Sequence, residues 1–248
     1  MDFTGKNVIV TGGASGIGRA VVNGVVQNGG VAVIVDINLD AAKKVQEEIG
    51  KEHVHIYKAD LSNTGEIRKV FLQIIHDLGQ VHVLVNNAGI VSTKPFEAIT
   101  QEEWNRIISV DLTGVFAGIS SVYPHMVENG YGRIVNVASV AAKIGGGLCG
   151  TSAYASAKAG VIGLTKAVAK EGAAKGVACN AVCPSLTFTP MILAEPEAKQ
   201  ERIRAAIPMK RGARPEEVAN VILFYASDLA SFVTGEISDV DGGVTMDG

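Results

Sequence analysis

The sequence is poor in cysteine, in net charge and in long apolar runs, and each shortage excludes a class of function. Its three cysteines, Cys149, Cys179 and Cys183, match neither a disulfide framework nor a zinc site, so reduced thiols are expected. The net charge of −3 gives no sign of nucleic-acid or anionic-membrane binding. We find no uninterrupted apolar run of about 20 residues, the length of a membrane span. The N-terminus lacks a signal-peptide layout, and we predict a cytoplasmic protein.

The apolar residues that are present, 47% of 248, occur in alternating strand-like and helix-like segments. Short apolar runs predict strands near 8–10, 31–35, 53–58, 81–85, 133–137, 177–182 and 235–240. Helical spacing predicts helices after 18 and over 39–49, 66–78, 101–128 (bent near Pro124), 153–175 and 215–226, and 185–210 is expected to be irregular. This alternation predicts an α/β fold: one domain over 1–248 with a doubly wound parallel sheet of about seven strands and helices on both faces.

A glycine-rich turn, Thr11–Gly18, lies between the first strand and the first helix. This context is typical of a dinucleotide-binding loop of Rossmann type. Gly12 can take a backbone shape closed to other residues, Gly16 permits close approach of a pyrophosphate, and Gly18 permits close packing of the helix on the sheet. The phosphates would lie at a helix N-terminus. The alternative is an ordinary strand-to-helix turn.

Asp36 ends the second strand, about twenty residues after the glycines, where a carboxylate binds the ribose 2′-hydroxyl of NAD. No basic residue lies inside the turn or directly after Asp36, where a 2′-phosphate would need one. We therefore predict NAD(H) rather than NADP(H). The alternative for Asp36 is a helix-cap or strand-end role.

Tyr154 and Lys158 are four residues apart at the start of a predicted helix, so their side chains share one face. Ser139 follows the preceding strand and reaches the same edge of the sheet. A nearby ammonium in a partly dry cleft could lower the pKa of a tyrosine toward neutrality, which would suit it to proton transfer. Because this spacing is common on helices, the pair carries weight only together with the glycine turn and Ser139.

These motifs resemble those of the short-chain dehydrogenase/reductase family, and the similarity covers essentially the whole chain. The matching features are the glycine turn, Asp60, the segment Asn86–Gly89, Ser139, Tyr154 with Lys158, and the segment that begins at Pro184. Their order and joint spacing are highly specific.

The resemblance implies a role for each matching position. Tyr154 would be the general acid and base, Lys158 would lower its pKa and hold the nicotinamide ribose, and Ser139 would polarise the substrate oxygen. Asp111 would support a water chain to Lys158. The implied cofactor-binding residues are Gly12, Ser15, Gly16, Ile17, Gly18, Asp36, Ile37, Asp60, Leu61, Asn87, Ala88, Gly89, Tyr154, Lys158, Pro184, Thr187 and Thr189, with no metal. A homotetramer is also implied.

Three positions depart from the family pattern. Asp111 replaces a common asparagine, and its negative charge would partly cancel the effect of Lys158 on Tyr154. Ser185 follows Pro184 where glycine is usual. Ser139 and Tyr154 are two residues further apart than is usual, and the extra length falls in 145–150, which we expect in the substrate wall.

The leading functional hypothesis is an NAD-dependent dehydrogenase acting on a secondary alcohol or its ketone: a polyol, a cyclic alcohol or a hydroxysteroid. The substrate loop near 185–210 would shape this choice. The alternative enzyme is a 3-oxoacyl-[acyl-carrier-protein] reductase; such family members usually take NADPH, against which Asp36 counts. The hypothesis from a different class is a catalytically silent NAD-binding regulator, which would tend to lack the tyrosine or the lysine.

Overall fold

Within residues 1–146, 150–193 and 197–246, which the computed structural model describes, the chain folds around one sheet of seven parallel strands. The strands are β1 (Asn7–Thr11), β2 (Val31–Asp36), β3 (Val54–Lys58), β4 (Val83–Asn86), β5 (Gly132–Val137), β6 (Val177–Pro184) and β7 (Ile237–Val240). The α-helices are α1 (Gly16–Gln27), α2 (Leu39–Ile49), α3 (Thr64–Leu78), α4 (Gln101–Ile108), α5 (Gly114–Glu128), α6 (Ala141–Ile144), α7 (Ser152–Gly172), α8 (Pro190–Leu193), α9 (Glu197–Ala206) and α10 (Pro215–Ala226). The predicted single-domain, Rossmann-type α/β fold is confirmed.

The strands are rich in buried apolar residues because helices cover both faces of the sheet. In β2, the side chains of Val33, Ile34 and Val35 are fully buried. Successive side chains of a strand point to opposite faces. Ile34 therefore enters the core that contains residues of α1 and α10, whereas Val33 and Val35 enter the core that contains residues of α3 and α5.

The strand order in the sheet is β3-β2-β1-β4-β5-β6-β7, so successive strands are added on one side of β1 up to β3 and on its other side from β4 onward. From β1 the chain proceeds outward to β2 and β3, and then returns to the other side of β1. At such a switch point the loops after the two strands diverge and leave a crevice beyond their carboxyl ends. Thr11 pairs in register with Asn86 across this junction, so the glycine-rich turn and the segment after β4 meet there.

The segment 185–210 is not irregular, and this sequence prediction was wrong. It contains α8 and α9, and Ile203 of α9 and Ile207, directly after α9, pack with Leu186 in a small core of their own. The prolines suggested a loop, yet Pro190 is the first residue of α8, where its missing N–H removes no helical hydrogen bond.

The predicted helix over 101–128 is interrupted, but not at Pro124. A π-helical segment, Ser109–Thr113, separates α4 from α5, and α5 continues through Pro124. Such π-helical turns inside longer helices frequently occur at functional sites. This one carries Asp111.

By length and composition, the stretch Gln101–Glu128 is apolar enough to cross a membrane, although polar residues interrupt its apolar runs. Its α5 section packs against α3, β4 and β5, and it contributes Val115, Ile119 and Met126 to the core. A core-facing helix of an α/β domain has this composition and these contacts.

Candidate active site

The crevice at the switch point forms the main cleft, with a volume of about 480 Å³. The glycine-rich turn forms one end of it. Gly12 has a φ of +64°, a left-handed conformation that favours glycine, and a Cβ on Gly18 would lie 2.2 Å from the carbonyl oxygen of Gly12. α1 begins at Gly16, with no side-chain cap from Ser15 and no acidic residue in its first turn. Its N-terminal N–H groups are therefore available to a phosphate.

Asp36 lies at the rim of the main cleft, beside the glycine turn. Its Oδ2 accepts a hydrogen bond from the Ala14 N–H at 3.2 Å, and its Oδ1 accepts one from the Asn38 N–H at 2.9 Å. These bonds hold the carboxylate in place without using all of its acceptor capacity. Lys58 is the register partner of Asp36 on β3, but it does not line the main cleft.

The segment after β4 is tied to the glycine turn by the side chain of Asn87. Its Nδ2 donates to the carbonyl oxygens of Thr11 at 3.0 Å and Gly12 at 3.2 Å. The N–H groups of Asn87 and Ala88 both donate to Thr11 Oγ1. The floor formed by Asn87, Ala88 and Gly89 is therefore fixed relative to the turn, and all three residues line the main cleft.

Asp60 and Leu61 line the cleft where the chain leaves β3. Asp60 Oδ1 accepts hydrogen bonds from the Ser62 N–H and the Ser62 hydroxyl, both at 2.8 Å. These bonds, with a smaller contribution from Arg106, hold the pKa of Asp60 below its usual value. Asp60 therefore presents a stable anionic acceptor at this end.

Ser139, Tyr154 and Lys158 line the same cleft, as their spacing predicted. Ser139 follows β5, and its Oγ accepts the Ala141 N–H at 3.1 Å. Lys158 Nζ lies 5.7 Å from the centroid of the Tyr154 ring and donates to the carbonyl oxygen of Val137 at 2.9 Å. The ammonium is thus held between the sheet and the phenol ring.

Asp111 lies behind Lys158 and does not line the main cleft. Its predicted support of Lys158 stays a prediction, and a fully buried carboxylate outside the cleft would act through another residue. Its Oδ1 accepts the Ile90 N–H at 2.8 Å, and its Oδ2 lies 3.4 Å from Lys158 Nζ.

Burial and the attraction between the two charges oppose each other in this pair. Burial raises the pKa of Asp111, and the neighbouring Lys158 opposes that rise. Burial alone would lower the pKa of Lys158, but the charge of Asp111 and the adjacent Tyr154 raise it above its usual value. Lys158 therefore stays an ammonium at neutral pH.

The end of β6 and the segment after it complete the cleft wall, to which they contribute Pro184, Thr187 and Thr189. Ser185, which departs from the family pattern, donates through its hydroxyl to the carbonyl oxygen of Asp241 at 2.9 Å. Thr187 forms an isolated parallel bridge with Ala213. The Ser185 hydroxyl, which a glycine would lack, therefore adds a hydrogen bond between this loop and the segment after β7. The predicted wall at 145–150 lies partly outside the described residues, since these exclude 147–149.

Nearly every predicted cofactor-binding residue lines the main cleft; Gly18 instead packs beneath it, against Gly12 and Asn87. The sequence interpretation missed several other wall residues, including Ile90, Arg106 and Ile192. Arg106 lies four residues before Val110, which also lines the main cleft, and this helical spacing is a signal that the sequence contains. Ile192 lies in the segment that was expected to be irregular.

Comparisons with known proteins agree with this geometry. A family model described as enoyl-(acyl carrier protein) reductase matches residues 12–245. The chain is 40% identical to a 3-oxoacyl-[acyl-carrier-protein] reductase of Thermotoga maritima, over 99% of this chain and 100% of the relative. It is 40% identical to an acetoacetyl-CoA reductase of Shinella zoogloeoides, over 95% and 96%. It is 39% identical to a 2-dehydro-3-deoxy-L-rhamnonate dehydrogenase (NAD(+)) of a Sphingomonas strain, over 98% and 96%.

A solved structure titled gox2181 superposes with a TM-score of 0.95 at 32% identity, covering 98% of this chain and 96% of that one. Sequence, fold and the arrangement of the main cleft thus lead to one conclusion: the chain is an oxidoreductase of the short-chain dehydrogenase/reductase family.

Proposed function

We propose that the chain interconverts a secondary alcohol and a ketone, with a nicotinamide dinucleotide as hydride carrier. The observation that supports this proposal is the meeting of Ser139, Tyr154 and Lys158 with the glycine turn and Asp36 in one cleft. The nicotinamide, when bound, accepts or supplies the hydride, and the protein supplies the proton and the oxygen-binding groups.

Tyr154 is the proposed general acid and base. In oxidation its phenolate takes the hydroxyl proton of the substrate, and in reduction its phenol donates a proton to the carbonyl oxygen. The Lys158 ammonium favours the phenolate, because opposite charges attract strongly in a site with little water. The Ser139 oxygen already accepts the Ala141 N–H, so its own O–H remains to donate to the substrate oxygen.

NAD(H) is the proposed cofactor. The N–H groups at the start of α1 would hold the pyrophosphate, and the Asp36 carboxylate would accept hydrogen bonds from the ribose hydroxyls. Asp60 and Leu61 would flank the adenine, and Thr187 and Thr189 would hold the carboxamide. A carboxylate at position 36 would repel a 2′-phosphate. The Sphingomonas relative, whose name specifies NAD(+), agrees with this choice.

The substrate that we propose first is a 3-oxoacyl thioester. Reductases of 3-oxoacyl-carrier-protein and of acetoacetyl-CoA are prominent among the similar proteins. These comparisons favour the alternative from the sequence analysis over the polyol, cyclic-alcohol or hydroxysteroid substrates placed first there. The second candidate is an NAD-linked dehydrogenase of a sugar-derived acid or polyol, which Asp36 and the Sphingomonas relative favour. The silent-regulator hypothesis is disfavoured by the retained Tyr154 and Lys158.

Initial rates with a substrate panel test the proposal. The panel contains acetoacetyl-CoA, a polyol, a cyclic alcohol, a hydroxysteroid and a sugar-derived 2-dehydro-3-deoxy acid, each with NAD(H) and NADP(H). We expect NADH-dependent reduction of acetoacetyl-CoA. NAD-linked turnover of the sugar acid or of one alcohol class alone would favour the second candidate. NADH binding without turnover of any substrate would favour the regulator.

The homotetramer and the cytoplasmic location stay predictions. Size-exclusion chromatography with light scattering would test the homotetramer.

Ser139→Ala is expected to remove most turnover while NADH binding is retained, because it deletes the hydroxyl that would polarise the substrate oxygen. A single donor to a developing oxyanion is worth about 10²-fold to 10³-fold in kcat. Steady-state kinetics and NADH fluorescence titration give the two readouts. Near-normal turnover in Ser139→Ala would remove this serine from the mechanism.

Asp111→Asn is expected to move the acid limb of the pH–rate profile for alcohol oxidation to lower pH, by about one unit. The asparagine still accepts the Ile90 N–H but carries no charge, so the full field of Lys158 acts on Tyr154 and stabilises its phenolate. The same shift should bring the alkaline limb of ketone reduction to lower pH, because reduction needs the phenol. Asp239→Asn is the control, since Asp239 pairs with Lys143 at 2.8 Å outside the main cleft. An unmoved profile in a folded Asp111→Asn protein would contradict this role.

A further inference from the structure

A second cleft, of about 690 Å³, adjoins the main cleft, and no step of the proposed mechanism uses it. It lies between the segment after Gly89 together with α4 on one side, and α8 with α9 on the other. Ile90, Val91, Arg106 and Ile192 line both clefts. A substrate that reacts at Tyr154 could therefore extend into the second cleft.

One wall of the second cleft is polar, and hydrogen bonds hold it in place. Ser92 Oγ and Lys94 Nζ both bind the Glu103 carboxylate, and the Lys94 N–H donates to Ser92 Oγ at 3.3 Å. Thr151, directly before α7, donates through its hydroxyl to the carbonyl oxygen of Ser92 at 3.2 Å. The wall is thus tied to the helix that carries Tyr154. The cations Lys94 and Arg106 and the anions Glu102 and Glu103 all line this side, so it presents polar groups with little net charge.

The opposite wall is largely aliphatic. It is formed by Ile192 of α8 and Ile203 of α9, whereas Ile107 of α4 adds an apolar side chain to the first wall. Ile203 is anchored on Leu186, so the aliphatic surface has a fixed position. Gln200 of α9, which is 6% exposed, adds an amide to this wall.

We propose that the second cleft binds the pantetheine-like arm of a thioester substrate, whose 3-oxo group reacts at Ser139 and Tyr154. Such an arm alternates neutral amides with methylene groups, which matches one polar wall of little net charge and one aliphatic wall. Pockets of roughly 300–1,000 Å³ bury whole drug-sized ligands, so a polyol of a few carbons would leave this cleft unused. The inference rests on the proposed function. It assigns a binding site to the arm of the substrate, which the names of the similar proteins leave open.

Thr93→Trp tests this inference. Thr93 is exposed and lines the second cleft only, so an indole there would obstruct the arm without entering the main cleft. The two probes are acetoacetyl-CoA, which carries the arm, and ethyl acetoacetate, which has the same 3-oxo group without it. We expect the wild type to prefer acetoacetyl-CoA in kcat/KM. Thr93→Trp should lower the ratio of the two kcat/KM values about tenfold or more, mainly through the KM for acetoacetyl-CoA.

Phe96→Trp is the matched control, because Phe96 is 78% exposed in the same loop and lines neither cleft. It should leave the ratio of kcat/KM values unchanged. NADH affinity, measured by fluorescence, should be the same in both variants and in the wild type. An unchanged ratio in Thr93→Trp, or a wild type that does not prefer acetoacetyl-CoA over ethyl acetoacetate, would overturn the inference alone. A wild type that reduces neither compound would overturn the proposed thioester function, and the inference with it.

Discussion

Tyr154→Phe is expected to lower kcat by about three orders of magnitude, within the range of about 10²-fold to 10⁴-fold that a positioned general acid or base contributes. The substitution removes the hydroxyl that would transfer the proton, and it keeps the ring beside Lys158. NADH affinity should change far less, because the glycine turn and Asp36 are untouched. Nicotinamide absorbance under saturating substrate measures kcat, and isothermal titration measures NADH binding.

Tyr123→Phe is the matched control for this experiment. Tyr123 also has a lysine beside it, with Lys175 Nζ 5.6 Å from its ring centroid, but it does not line the main cleft. Its turnover should equal that of the wild type. If Tyr154→Phe kept more than about a tenth of the wild-type kcat, proton transfer by Tyr154 could not be the source of the expected 10²-fold or larger contribution.

Asp36→Asn is expected to shift the preference between NADH and NADPH by about two orders of magnitude toward NADPH. Two unit charges about 5 Å apart interact with about 3 kcal/mol at the effective dielectric constant of a protein surface, which corresponds to that change. The asparagine oxygen can still accept one backbone N–H from the glycine turn, so the turn should keep its shape. The measurement is the ratio of kcat/KM for the two cofactors at one substrate concentration.

Asp40→Asn controls for the loss of one negative charge near the same end of the sheet. Asp40 lies in the first turn of α2, its side chain is 88% exposed, and it does not line the main cleft. Its cofactor ratio should stay at the wild-type value. An unchanged ratio in Asp36→Asn would mean that another feature of the cleft sets the cofactor preference.

Both large effects concern residues that the sequence alone identified. The glycine turn and the pair Tyr154 and Lys158 are local patterns, in which a few bonds fix how the residues lie relative to one another. Ser139 follows a buried strand and Asp36 ends one. The carboxyl ends of parallel strands lie at one edge of the sheet, regardless of which helices cover its faces. Alternating apolar runs likewise determined the fold, because each run is long enough to show its own period.

Only the tertiary structure decided how distant segments meet. The sequence placed Asp111 in the catalytic set, but its position behind Lys158 depends on a π-helical turn and on the depth at which α5 packs on the sheet. Likewise, the amide of Asn87 braces the glycine turn, and α9 closes a second cleft against α4. Such contacts depend on how helices stand against the sheet, which many packed side chains determine together. No local sequence pattern records how a helix stands against the sheet. The sequence therefore identified the proposed reacting groups, whereas packing determined the charge behind them and the space beside them.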